Sequence, residues 1–173
     1  MKIESPAFTV DDVKSFMDVY LDRERSILAD RLQQASDRLS ALGPRVKAEP
    51  GNEDGWNAHE MLAHLAVLSK FYGVLVHRIA TGKPLNLNLL EAVHMRDNAG
   101  EQMSQLEPAE LLRMTVADHE RTIKALRSAD PNSLRQPADL GDGISMTAEE
   151  VARMPLISHL EMHIDELEEM LNR

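Results

Sequence analysis

Between Val13 and Leu42 the apolar residues fall on one helical face: Val13, Phe16, Tyr20, Ile27, Leu28, Leu32, Ala35, Leu39 and Leu42. Steps of three, four and seven over this length demand one long helix with a buried stripe. A helix with one apolar stripe must pack against other helices or a sheet, and the rest of the chain supplies helices. Leu (23) and Ala (18) outnumber Val (10) and Ile (7), a balance that favours helix over strand.

Punctuation sets the boundaries. Thr9 can cap the first helix, with Asp12 three residues on near its positive end, and Gly43-Pro44 stops it. After a polar loop from Val46 to Gly55, Asn57 opens the second helix with Glu60 as its capping-box partner and Trp56 and Met61 placed as a hydrophobic staple. Its stripe reads Met61, Leu65, Leu68, Tyr72, Leu75, Ile79, and Thr81-Gly82-Lys83-Pro84 closes it. The third long helix starts near Pro108, runs through Leu111, Leu112, Met114, Thr115, His119, Ile123 and Leu126, and ends at Asp130-Pro131. Thr147-Ala148-Glu149-Glu150 is the clearest capping box, with Met146 and Val151 as staple partners. The fourth helix continues through Leu156, Leu160, His163, Leu167 and Met170. Pro155 interrupts its first turns and should leave the Val151 carbonyl without its usual donor. Residues 85–104 form a long connection with a short helix around Leu87 to Asn98, because a wholly irregular stretch of that length is unusual in a compact domain. Pro131 to Met146 reads as a second long loop. The expectation is an all-α four-helix bundle, one domain over residues 1–173, with a short extra helix in the connection between helices 2 and 3.

Composition removes whole classes of chemistry. With no cysteine among 173 residues, disulfides, iron–sulfur clusters, thiolate zinc sites and a cysteine nucleophile are excluded, so a metal would need histidine or carboxylate ligands. The net charge of −10 and six aromatic residues speak against a nucleic-acid partner. No apolar run approaches the roughly 20 residues that span a bilayer, and the start, from Met1 to Pro6, lacks a signal-peptide pattern. A soluble, cytoplasmic protein with no membrane partner is expected.

Seven histidines remain to be placed. His159 and His163, four residues apart, share a helix face, and His163 occupies a position of the apolar stripe. Two imidazoles so spaced can chelate one cation. His64 lies beside Met61, Leu65 and Leu68 on the buried side of helix 2. In a bundle, three imidazoles from two facing helices can hold one metal and leave positions open. Histidines satisfied by ordinary core hydrogen bonds give the same spacing. His59 and His64 resemble a zincin pair with one residue too many; five residues turn them about 140° apart. A di-iron site would need two Glu-x-x-His pairs, and only Glu91 to His94 fits, in the connection. His59, His77, His94 and His119 therefore read as surface or packing residues. Glu60 and Glu166 have the spacing to orient ligand rings, although a capping residue and a solvated helix charge are the simpler readings. The sequence names no general base, with Glu60 and His94 as candidates.

Trp56-Asn57-Ala58-His59-Glu60-Met61-Leu62-Ala63-His64-Leu65, Met146-Thr147-Ala148-Glu149-Glu150 and Ile157-Ser158-His159-Leu160-Glu161-Met162-His163-Ile164 together resemble the DinB-like family of DinB/YfiT-type metalloenzymes. The resemblance covers nearly the whole chain in helix order and loop position. It implies an up-down-down-up bundle, often a homodimer, with a divalent metal (Zn or Ni) on His64, His159 and His163. It further implies a thiol S-transferase type of activity, in which a small-molecule thiol activated at the metal attacks an electrophile. Metal-assisted hydrolysis and a non-catalytic binding bundle are the alternatives. The chain departs from the family at Ile164-Asp165-Glu166-Leu167, where a Gly-Gln pair commonly follows the last histidine, and at Pro155.

Overall fold

The computed structural model describes residues 9–51, 55–83, 85 and 88–173. Five long helical stretches account for most of it: α1 (Val10–Leu42), α2 (Ala58–Ala80), α3 (Leu89–Met103), α4 (Pro108–Ser128), and a last run made of α5 (Ala148–Val151), a π-helix (Ala152–Ser158) and α6 (His159–Leu171). Capping boxes start three of them, at Thr9 with Asp12, Asn57 with Glu60, and Thr147 with Glu150, where side chain and backbone satisfy each other's donors.

Cross-helix contacts fix the directions. Arg38 pairs with Asp165 at 2.7 Å and Glu168 at 3.0 Å, and Arg45 donates to the Leu171 carbonyl at 2.7 Å, so α1 and α6 run parallel. Arg25 donates to the Ala129 carbonyl while Gly43 lies against Leu112, so α4 runs antiparallel to α1. Ser69 meets His119 and Gly73 meets Thr122, so α2 and α4 are parallel. The bundle is therefore up-down-down-up, with α3 packed on α2 outside the four. Leu28, Leu32, Leu39, Leu62, Leu65, Leu68, Leu111, Leu126, Leu160 and Leu167 are all fully buried in one core.

Three expectations are corrected. The first half of the α1 stripe is not core: Val13, Phe16, Tyr20 and Ile27 are 44%, 69%, 43% and 37% exposed. With 33 residues α1 is about 50 Å long, against about 32 Å for the 21 residues of α4, so its first turns overhang its partners. The connector helix begins later and runs to Met103 rather than Asn98, because Ala92, Ala99 and Met103 continue one face against α2; Pro84 and Leu87 lie outside the described residues. The stretch from Pro131 to Met146 is no simple loop. It holds a 3-10 turn and a hairpin of β1 (Pro137–Asp139) and β2 (Ser145–Thr147), paired antiparallel with Ala138 opposite Met146. Positive φ angles at Gly141, Asp142 and Gly143 make the reversal, and Leu140 plugs the core below it. Pro155 does interrupt the first turns of the last helix. The helix widens into the π-helix, and the His159 N–H reaches back to the carbonyls of Met154 and Leu156.

The close approach of α2 and α4 depends on Gly73, where an added Cβ would lie 2.4 Å from the Thr122 hydroxyl oxygen. Gly73→Ala is expected to lower stability by about 1–3 kcal/mol, against a helix-propensity gain of about 1 kcal/mol. Adding Thr122→Ala removes the clash and should restore most of the loss, as measured by a double-mutant cycle of urea unfolding.

Candidate metal centre

Two helix starts place the three histidines. The Asn57 box fixes α2 seven residues before His64, and the Thr147 box fixes the last helix twelve residues before His159. Because α2 and the last helix run antiparallel, His64 meets the His159/His163 face. Pro155 could have moved that face. The π-helix instead takes up the missing N–H, and α6 begins at His159 with both imidazoles turned towards α2.

One potential ligand atom from each of His64, His159 and His163 lies within 4.8 Å of the others. The ring centroids are 5.6 Å apart for His64 and His159, 4.8 Å for His64 and His163, and 4.6 Å for His159 and His163. His163 is buried, whereas His64 and His159 are partly accessible. His163 Nε2 and His159 Nε2 face each other at 2.8 Å. On its other side His163 Nδ1 is 2.6 Å from Glu166 Oε2. An ionised carboxylate only accepts, so Glu166 holds the proton on Nδ1 and leaves the His163 Nε2 lone pair pointing into the cluster. Three imidazoles on a tetrahedral cation stand about 3.3 Å apart, from metal–nitrogen bonds of about 2.0–2.1 Å. The spacing found here brackets that value, and the neutral nitrogen donor set with a carboxylate behind it suits a divalent cation.

Trp56 is half exposed and lays its ring on His64, centroid to centroid 4.5 Å, and near His163 at 6.0 Å. Its sequence position suits a staple with Met61 and carries no signal for this ring contact. A cavity of about 370 Å³ opens beside His159, walled by Tyr72 and Leu75 of α2, Val93 of α3, Met146 of the hairpin, and Met154 and Pro155 of the π-helix.

The remaining histidines go elsewhere. His59 is buried and ties two loops together: its Nδ1 accepts from the Glu49 N–H at 3.3 Å and its Nε2 meets the Leu106 carbonyl at 2.8 Å. It faces away from His64, so the zincin-like reading has no geometry behind it. His77 and His94 are exposed, and so is Glu91 beside His94; the sequence has no second Glu-x-x-His pair to complete a di-iron site. One carboxylate oxygen of Glu60 receives the Asn57 N–H of its capping box at 3.1 Å. Glu166, three residues after His163, makes the ring contact that its spacing allows.

His119 is the most buried histidine, 1% exposed, with Nε2 2.8 Å from the Ser69 hydroxyl. Burial lowers its pKa to about 4 from the ordinary 6.5. The unfolded chain therefore takes up a proton between pH 6.5 and 4 that the folded chain refuses, and stability falls as pH drops through that window. Wild type is expected to lose about 2 kcal/mol more than His119→Gln between pH 7 and pH 5, as read by urea unfolding.

Comparisons with known proteins agree with this architecture. A family profile described as the DinB superfamily matches residues 20–167. The fold is similar to the crystal structure of a mycothiol-dependent maleylpyruvate isomerase, with a TM-score of 0.65 and 21% identity over 84% of this chain. This chain spans only 60% of that one. No curated protein sequence matches. The profile match spans 148 of 173 residues, in the helix order described above, and the chain belongs to the DinB superfamily.

Proposed function

We propose that the chain is a divalent-metal-dependent enzyme that holds Zn²⁺ or Ni²⁺ on His64, His159 and His163 and joins a low-molecular-weight thiol to an electrophile. The observation that carries this reading is the convergence of three imidazoles from two helices, with Glu166 fixing the tautomer of one of them. When bound, such a cation lowers the pKa of a thiol or water at an open position and supplies a nucleophile at neutral pH.

The chain's own residues support the rest. Without cysteine, the thiol must come from a cosubstrate. Trp56 covers the His64 face of the cluster. The mainly apolar cavity beside His159 offers room for the electrophile next to the histidines. The structural neighbour's name ties its own reaction to a thiol, mycothiol, which fits this choice over hydrolysis. No described helix is long and apolar enough to cross a membrane. A homodimer belongs to the same proposal: the overhang of α1 leaves Val13, Phe16, Met17 and Tyr20 exposed along one helix face, an apolar strip that a second copy would cover.

Titration calorimetry with Zn²⁺ or Ni²⁺ is expected to give one cation per chain. His159→Ala/His163→Ala should lose uptake while keeping its helical circular dichroism, and Glu166→Gln should weaken it about 10- to 100-fold. Turnover of an electrophile should require both the cation and an added thiol. Turnover without thiol would establish hydrolysis instead, and no cation uptake would remove the proposal altogether. Sedimentation should show a dimer that Phe16→Asp converts to a monomer.

A further inference from the structure

Two exposed apolar surfaces lie at the same end of the molecule. The first is the strip on the α1 overhang, Val13, Phe16, Met17 and Tyr20. Its spacing, i, i+3, i+4 and i+7, is the one by which an amphipathic helix enters an apolar groove. Arg135 stacks over the Tyr20 ring at 5.6 Å and marks where the overhang leaves the bundle. The second surface is a groove of about 460 Å³ between α2 and α3. Phe71 and Val74 of α2 and Met95, Ala99 and Met103 of α3 line it, and Val74 and Met95 are 51% and 66% exposed.

The two surfaces match in length and in charge. From Val13 to Tyr20 the strip is about 11 Å long, and the groove from Val67 to Arg78 is about 17 Å, so the strip fits within it. Val10 to Tyr20 carries Asp11, Asp12 and Asp18 against a single Lys14. The charged residues among the described lining of the groove are Lys70 and Arg78. Packing the strip on its own copy would instead bring like charges together and leave the groove open.

Their placement allows both contacts to form at once. Arg25 meets Ala129 at the end of α4, and α2 runs parallel to α4, so the overhang projects from the end at which α2 finishes. There α1 packs on α4 and α6, whereas α3 packs on α2, which sets strip and groove on opposite sides of that end. A two-fold axis through the end lays each copy's overhang in the other's groove and covers all four surfaces.

We infer that the α1 overhang of one copy docks in the α2–α3 groove of a second, and the reverse; this rests on the homodimer reading above and names the surface that receives the strip. The native chain has no cysteine, so introduced thiols report the contact directly. Phe16→Cys combined in turn with Val74→Cys, Met95→Cys or Ala99→Cys is expected to give a disulfide-linked dimer on mild oxidation for at least one pair, while Phe16→Cys alone stays unlinked. In sedimentation, Met95→Asp should raise the dimer dissociation constant about tenfold or more. Ser15→Asp, on the opposite face of α1, should leave it unchanged. Linkage of Phe16→Cys alone, no linkage in any mixed pair, a dimer indifferent to Met95→Asp or one broken by Ser15→Asp would each overturn the docking while a dimeric wild type kept the homodimer reading. A monomeric wild type would overturn both.

Discussion

An imidazole set among leucines costs free energy unless its nitrogens find partners, and the functional reading of this bundle follows from how that constraint is met. His163 lies on the face that also carries Leu160, Ile164 and Leu167, all buried. Glu166 takes one of its nitrogens and His159 faces the other at 2.8 Å. His59 solves the same problem differently, by clasping the backbone at Glu49 and Leu106. His119 solves half of it, through Ser69. Three buried or half-buried imidazole environments thus serve three ends, and only the one shared by α2 and the last helix brings several rings together.

The helix directions make that sharing possible. Parallel α1 and α6 are pinned by Arg31 with Glu161 and by Arg38 with Asp165 and Glu168. These surface pairs contribute little energy each, but they are consistent with a single register of α6 against the bundle. The π-helix is the second device. A regular helix through Pro155 would have lost a hydrogen bond and met a clash; the wider turns absorb both and at the same time form one wall of the cavity beside His159.

Much of this was legible in the sequence because the signals are local. Capping boxes at Thr9, Asn57 and Thr147 are four-residue patterns, and the α2 stripe from Met61 to Ile79 is buried throughout. His64, His159 and His163 could be grouped because helix phase alone puts them on inward faces. Other features depend on partners that local patterns do not reveal. The stripe at Val13 and Phe16 looks like core until the shorter neighbours end. Leu140 and Ile144 around Gly141-Asp142-Gly143 carry a hairpin signal that was readable but competed with the loop-like Pro, Gly and Ser content of the segment. Glu166 looked like a solvated charge because its i,i+3 partner is a histidine, whose role depends on what lies across the bundle. The Ser69–His119 contact joins residues 50 positions apart and has no sequence signature.

The central claim is that these three imidazoles form one metal centre. X-ray absorption at the metal edge of the Zn²⁺- or Ni²⁺-loaded native chain tests it most directly, since histidine rings give a characteristic outer-shell scattering. The account expects three nitrogen ligands with imidazole scattering and loss of that pattern in the His159→Ala/His163→Ala chain. A spectrum dominated by oxygen ligands, or one unchanged by the double substitution, would contradict it.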